Sequence, residues 1–431
     1  MLIVTLVLCG ALVAGPSPAE AADSVRLSVR EAVETALRTH PALTAAGAVA
    51  RAAQERVAQA RASRLPRLSA DVSATRWDWV MPNKRIYLDS ARIDVYGGLS
   101  LNYLAFDGGA RAARTRLAIG GAEDADLRRE ELRREITFAV ERAYYRLLEA
   151  QRLVPVHEAS VRNLGEHLRT ARLLYAAGTV SQVDVLKAQV QIAVAENDVA
   201  SARNAVEADR IELAGAMGLE GLGDVVLEDP FEAQPGQPEG PVFGLASWLE
   251  RLERHPALAR AELAIRSRKD ETALARSEFF PRVLALGSYT REGSGLLPGH
   301  PNWSLGLGLS LPLFDGGARS ADRAAARATE TAAVATRDAL RQHLDAAVRA
   351  DLVRLEDARR RVGIAAEVVR LAEESLRAAT IRYRAGRTPV LDVLDAEDVL
   401  LRARTAGVQA LTDVALARAA LRYDVGSDPA R

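Results

Sequence analysis

The segment Phe106-Asp107-Gly108-Gly109-Ala110-Arg111 returns as Phe314-Asp315-Gly316-Gly317-Ala318-Arg319, 208 residues further along the chain. The same offset carries Tyr175-Ala176-Ala177-Gly178 onto Tyr383-Arg384-Ala385-Gly386, and Asp184-Val185-Leu186 onto Asp392-Val393-Leu394. Across roughly 70 residues no insertion or deletion separates the two copies, a constancy that a flexible loop has no reason to keep. It predicts a continuous rod of fixed length, built twice in one chain.

The rods are patterned in sevens. Val348, Leu355, Val362, Val369, Leu376 and Tyr383 recur every seven residues, with Ala358, Ala365, Ala372 and Ala379 three positions on from four of them. The first copy carries Val140, Leu147, Val154, Val161, Leu168 and Tyr175 in the same register. Returning helices continue the pattern through Val185 to Leu213 and through Val393 to Leu421, again alternating with alanine. A strict seven-residue repeat imposes left-handed supercoiling, and small residues in the seam let helix axes approach closely. Residues 110 to 175 as helix span on the order of 100 Å. Pro155 in the first rod and Gly363 in the second weaken a helix interior and predict a bend there.

Each half opens with a short helix and a His-Pro-Ala-Leu step, His40 to Leu43 and His255 to Leu258. The prolines suit a first helical turn, so the histidines read as helix-junction residues rather than ligands. After Pro66 and Pro281 the periodicity changes to two. Leu68, Ala70, Val72 and Ala74 alternate with Ser69, Asp71, Ser73 and Thr75. Ile93 to Ala105 and Val283 to Arg291 alternate likewise, and Trp303, Leu305, Leu307, Leu309, Leu311 and Leu313 alternate with Ser304, Gly306, Gly308 and Ser310. Polar loops join the strands around 82–90 and 292–301. Strands apolar on one side and small or polar on the other suit a membrane β-barrel, with Trp77, Trp79 and Trp303 at the interfacial level. A soluble sandwich shows the same alternation but needs a second sheet, and the rest of the chain is helical. Four strands cannot close a barrel, of which about eight is the smallest, and open edges are not tolerated in lipid. The chain is therefore expected to pool strands by oligomerising.

Composition narrows the function. Lys and Arg number 57 against 57 Asp and Glu, so the formal charge is zero and nothing favours nucleic acid. Cys9 is the one cysteine, which excludes an intramolecular disulfide framework and a cysteine-rich metal site. Scattered histidines offer no metal cluster, and no nucleophile–base pair is legible, so neither enzyme activity nor a cofactor is expected. Residues 1–21 read as a signal peptide, an apolar run ending near Ala19-Glu20-Ala21, although the basic leader is missing. Leu8 before Cys9 argues against a lipoprotein. The expected organisation is a first repeat over 22–218, a Pro/Gly-rich linker over 219–242, a second repeat over 243–425 and a short tail over 426–431.

Duplicated Phe-Asp-Gly-Gly, and duplicated Tyr-x-x-Gly followed six residues later by Asp-Val-Leu, resemble the TolC-like outer-membrane efflux protein family over nearly the whole mature chain. The resemblance implies a homotrimer: a 12-stranded β-barrel in outer-membrane lipid, continued into the periplasm by a 12-helix α-barrel. It also implies a periplasmic adaptor and a proton- or ATP-driven inner-membrane transporter as partners. The function it implies is an exit duct for small molecules; a type I protein-secretion duct is the alternative within the fold, and a soluble periplasmic coiled-coil scaffold the alternative outside it.

Asp107, Gly108 and Gly109, with Asp315, Gly316 and Gly317, are expected to turn the chain sharply from strand to helix and to supply caps. Gly178 and Gly386 should end the descending helices and shape the tips where an adaptor docks, and Thr388-Pro389 should restart the helix as N-cap and first-turn proline. A P-loop is excluded, because no Gly-Lys-Ser/Thr follows the paired glycines. Asp392 and Asp395 lie near one helical face. By resemblance they match an acidic selectivity ring; by themselves they also suit helix-dipole compensation. Tyr383 and Asp184 match the family's gate contacts. The gate arginine falls at Thr388, with Arg387 adjacent.

Overall fold

The computed structural model describes residues 25–76, 93–223, 225–229, 231, 245–293 and 300–426. The signal-peptide segment, Trp77, Trp79, the 82–90 loop, most of the linker and the last residues lie outside them. In chain order the elements are β1 (Val25–Leu27), α1 (Val29–Thr39), α2 (Pro41–Ala62), β2 (Arg67–Arg76), β3 (Ile93–Phe106), α3 (Ala110–Ala176) and α4 (Gln182–Ala216). The second half follows with β4 (Val225–Leu227), α5 (Leu245–Leu252), α6 (Pro256–Ser277), β5 (Arg282–Gly293), β6 (His300–Ser310), α7 (Ala318–Arg384) and α8 (Val390–Val425).

The rods form as the sevenfold pattern dictates. Both α3 and α7 contain 67 residues, about 100 Å at 1.5 Å per residue. The predicted seam of α7 is its least exposed stripe, from Val348 and Leu355 to Tyr383. In α3 the stripe holds through Val140 and Leu147 but fails at Tyr175, which is 47% exposed against 1% for Tyr383. The helix α3 runs through Pro155 without a break. A proline forfeits one hydrogen bond, and packing along the rest of a long helix holds the conformation.

The four long strands make one antiparallel sheet ordered β2-β3-β5-β6. Its register puts Leu68 opposite Leu101, Leu101 opposite Gly287 and Gly287 opposite Leu305. Residues directly opposite share a face, so Leu68, Val72, Leu99, Leu101, Tyr289, Trp303, Leu305, Leu307 and Leu309 lie together. On the other face Ser69 bonds Ser100 at 2.6 Å and Ser288 bonds Ser304 at 2.8 Å. The apolar face is uncovered, Leu307 being 78% and Leu309 72% exposed. That rejects a two-sheet sandwich among the described residues.

One feature departs from the sequence reading, and the histidines follow it. The first repeat opens on β1, which pairs in parallel with β4 from the supposed linker. The Tyr144 hydroxyl on α3 lies 2.9 Å from the Leu27 carbonyl and 2.7 Å from that of Glu228, donating its one proton between them. The linker's start is therefore part of the core that also holds Leu147, Leu213 and Met217. The histidines of the His-Pro steps are helix caps: Nδ1 of His40 accepts from the Ala42 amide at 3.2 Å, and Nδ1 of His255 from Ala257 at 3.1 Å. Each faces the glycine that ends its own repeat, Gly218 or Gly426, both at positive φ.

Candidate functional site

The strand-to-helix turns are built alike. Gly108 and Gly109 have φ of 65° and 92°, Gly316 and Gly317 of 67° and 91°, a left-handed region that glycine enters freely. Asp107 caps from two residues before Gly109, the helix N-cap. It accepts the Gly109 amide at 3.1 Å, the Arg111 amide at 2.8 Å and the Arg111 guanidinium at 3.0 Å. Asp315 repeats this with Gly317 at 3.0 Å and Arg319 at 3.1 and 2.6 Å. The Arg319 side chain and the turn's amides hold the Asp315 carboxyl below the usual carboxylate range. One difference separates the turns. A Cβ on Gly108 would meet the Phe280 Cβ at 2.6 Å and the Ser277 carbonyl at 2.7 Å, whereas Gly316 has open space.

At the opposite end both descending helices finish in a Schellman turn. Gly178 and Gly386, at φ 74° and 67°, donate to the Tyr175 and Tyr383 carbonyls at 2.9 Å; Thr179 and Arg387 reach back to Leu174 and Arg382 at 2.9 and 3.0 Å. The two tips meet. Gly178, Ser181, Asp184, Tyr383, Gly386, Arg387, Thr388 and Pro389 line an open cleft of about 430 Å³. Tyr383 is buried there with its hydroxyl unpartnered; burial first, and the Asp184 charge second, raise its pKa. So the predicted gate residues are brought together, but Tyr383 and Asp184 are not hydrogen-bonded. Arg387 is exposed and pairs with no side chain.

Thr388 is not the N-cap that the sequence suggested. Pro389 occupies that position, the helix begins at Val390, and the Thr388 hydroxyl is buried without a partner. The correction explains an asymmetry in the acids. In the first tip Ser181 is the N-cap, and its amide and hydroxyl donate to Asp184 at 3.2 and 3.3 Å. Pro389, in the equivalent place, has no N–H to offer Asp392. Asp392 and Asp395 are both exposed on the first turns of α8, and neither carboxylate makes a hydrogen bond or ion pair.

Heptad reading missed the polar groups between the repeats. Asn163 on α3 donates to Glu397 on α8 at 2.9 Å, and Arg422 on α8 pairs with Glu141 on α3 at 2.9 Å. Burial raises the Glu397 carboxyl, against the opposing pull of Asn163. The sole sequence signal was an acid beside the seam positions Val393, Ala396 and Leu400, where a helix with a second packing partner buries it.

A family model described as outer membrane efflux protein matches residues 32–219 and 250–427. Outer membrane protein OprJ of Pseudomonas aeruginosa is 34% identical over 157 residues, 34% of this chain and 32% of that relative, so this match spans about a third of its length. Alkaline protease secretion protein AprF of the same organism is 26% identical over 425 residues, 94% of this chain and 85% of AprF. Among solved structures, CusC, described in terms of folding and transmembrane channel formation, superposes with a TM-score of 0.82 at 17% identity, covering 94% of this chain and 93% of its own.

Proposed function

Because the chain belongs to the outer membrane efflux protein family, a family of channel proteins of the outer membrane and not of enzymes, we propose that it is the exit duct of a tripartite pump. Three copies would close a 12-stranded barrel in the lipid and a 12-helix tunnel in the periplasm, joined at the tips to an adaptor and an inner-membrane transporter.

The observation that carries this reading is the internal symmetry of the protomer. Within one chain β3 pairs with β5, and α3 packs against α8. The repeat relates α3 to α7 and α8 to α4, so the same contact continued outward sets α7 of one copy against α4 of the next. Both helices carry the apolar residues this needs: Val353, Ile364, Val368 and Leu371 on α7, and Val183, Leu186, Val190 and Val194 on α4 are all exposed. The sheet extrapolates equally. β6 stands to β3, and β5 to β2, as second repeat to first, so β6 would pair with β2 of a second copy. The observed pairing of Leu101 with Gly287 then maps to Leu309 opposite Val72, and Gly316 acquires the neighbour it lacks in Leu65. Phe106 stands exposed at the helix end of the apolar face, Phe279, Phe280 and Phe314 are exposed in the adjoining turns, and Tyr289 and Trp303 stand towards the loop end. Aromatic residues at both edges of an apolar band suit a lipid bilayer.

The test is a disulfide. Val72→Cys with Leu309→Cys should give a covalent trimer under oxidation, and the trimer should form cation-conducting channels in planar bilayers. Intramolecular linkage or an unlinked monomer would defeat the assembly. Small-molecule efflux is the leading cargo reading. The near full-length likeness to AprF, whose name states protease secretion, favours protein cargo as the second, and transport assays in a deletion strain separate them.

A further inference from the structure

The end of the second hairpin nearest the sheet holds a pair of acids that the duct reading does not use. Asp351 on α7 is 2% exposed. Its Oδ1 accepts from the Arg354 guanidinium at 2.8 Å, but its Oδ2 is buried with no N–H or side-chain hydroxyl to bond. The group within hydrogen-bonding reach is the half-buried carboxyl of Asp424, on the last turn of α8. Two ionised carboxylates cannot satisfy one another, since both are acceptors only. A proton on one supplies the missing donor.

The first repeat is an internal control. The offset of 208 places Ala143 and Ala216 at the positions of Asp351 and Asp424. There the two helices close over apolar contact, with Ala143 in the core beside Tyr144 and Leu213. Hairpin closure does not require acids at this level, and the second repeat carries an ionisable contact where the first has an apolar one.

We infer that a proton held on Asp424 bonds the buried Asp351 carboxyl and makes an acid-dependent clasp between α7 and α8, closed while Asp424 holds its proton and loosened when Asp424 ionises. Burial, then the hydrogen bond and charge of Asp351, push Asp424 up from 3.8 to about 7 against the opposing pull of Arg354. Other charges surround the joint. From α3, Glu131 and Glu135 face Tyr423, Arg134 lies against Gly426, and Glu141 pairs with Arg422. His255, at the start of α6, bonds the Tyr423 carbonyl, and Arg251 of α5 stacks on Trp248. Among these, Asp351 and Arg354 are the groups that act on Asp424. Its folded-state pKa is raised, so the clasp contributes fully below 3.8 and is lost as pH rises through about 7. The periplasmic ends of α7 and α8 lie beyond this joint, so its state sets how firmly the second hairpin is held at its root.

Hydrogen exchange by mass spectrometry on the full-length protein in detergent tests this, with rates corrected for intrinsic pH dependence. Peptides covering 345–355 and 418–426 should lose protection by about tenfold or more from about pH 5.5 to about pH 8.5, as a pKa between those limits requires. The matching first-repeat peptides should not change. Asp424→Asn, which keeps a donor and cannot ionise, should stay protected at both pH values. Asp351→Ala with Asp424→Ala, copying the first repeat, should also lose the pH dependence. Equal wild-type protection at the two pH values, or pH dependence surviving in Asp424→Asn, overturns the clasp.

Discussion

Asn163 on α3 and Glu397 on α8 lie 234 residues apart in sequence and 2.9 Å apart in space. They join the first repeat to the second hairpin where no covalent connection does. Glu397 keeps its other oxygen buried and unpartnered, so Asn163 supplies its one hydrogen bond. Removing that donor with Asn163→Ala should cost about 1–3 kcal/mol, the range for stranding a buried polar group. Replacing both partners, with Asn163→Leu and Glu397→Leu together, removes the polar groups altogether and should be close to neutral or stabilising. Melting temperatures of the two variants check the order.

The tip turns predict a backbone effect free of steric clash. Nothing lies within 4 Å of a Cβ built on Gly178 or Gly386, yet both have positive φ. Gly386→Ala should therefore cost about 1–2 kcal/mol through conformation alone. Gly386→Val, with its branched side chain, should distort the tip enough to reduce cross-linking to an adaptor. Unchanged cross-linking by the valine variant would separate tip geometry from docking.

Gly108 and Gly316 occupy equivalent turns but meet different surroundings. Gly108→Ala drives a Cβ into Phe280 of its own chain and should impair folding of the protomer. Gly316→Ala should leave the protomer folded and hinder trimer formation, because in the proposed trimer the matching obstacle, Leu65, would belong to a second copy. Native gel electrophoresis alongside a protease-resistance assay distinguishes the two defects.

Asp392 is free of the cap that engages Asp184, because Pro389 lacks an amide hydrogen. If Asp392 and Asp395 line the tunnel mouth, Asp392→Ala with Asp395→Ala should abolish block by divalent cations and reduce cation preference in single-channel recordings. Asp184→Ala should weaken the first tip by about 1 kcal/mol, the scale of a lost cap, with little effect on selectivity.

His255 should make the second repeat acid-sensitive. Burial, and then the charge of Arg134, lower its pKa from 6.5 to about 4. A depressed folded-state value means that the contribution is complete above 6.5 and is lost as pH falls towards 4. Stability measured across that window should decline in the wild type and decline less in His255→Asn, whose side-chain oxygen can keep the cap without titrating. This trend opposes that of the Asp351–Asp424 pair, so the two variants respond with opposite sign.

What the chain shows without its structure is whatever depends on local chemistry and period. The sevenfold seam, the alternating strands, the duplicated turns and the family they resemble were legible because each rests on residues near one another in sequence. Gly178 and Gly386 announce their left-handed turns, and Asp107 and Asp315 their capping, for the same reason.

Tertiary structure decided where one helix meets two others. A heptad names the seam between α3 and α4 but not the second face on which α3 receives α8, so nothing in the sequence marked Glu397 and Glu141 as buried beside partners from the other repeat. Thr388 looked like a cap because threonine often is one, and the observed turn set Pro389 there instead. Asp351 and Asp424 form a pair only because two helices antiparallel in space bring residues 351 and 424 to one level. Burial and pairing are properties of the assembled fold: the dielectric around a side chain is set by neighbours that its own segment does not encode.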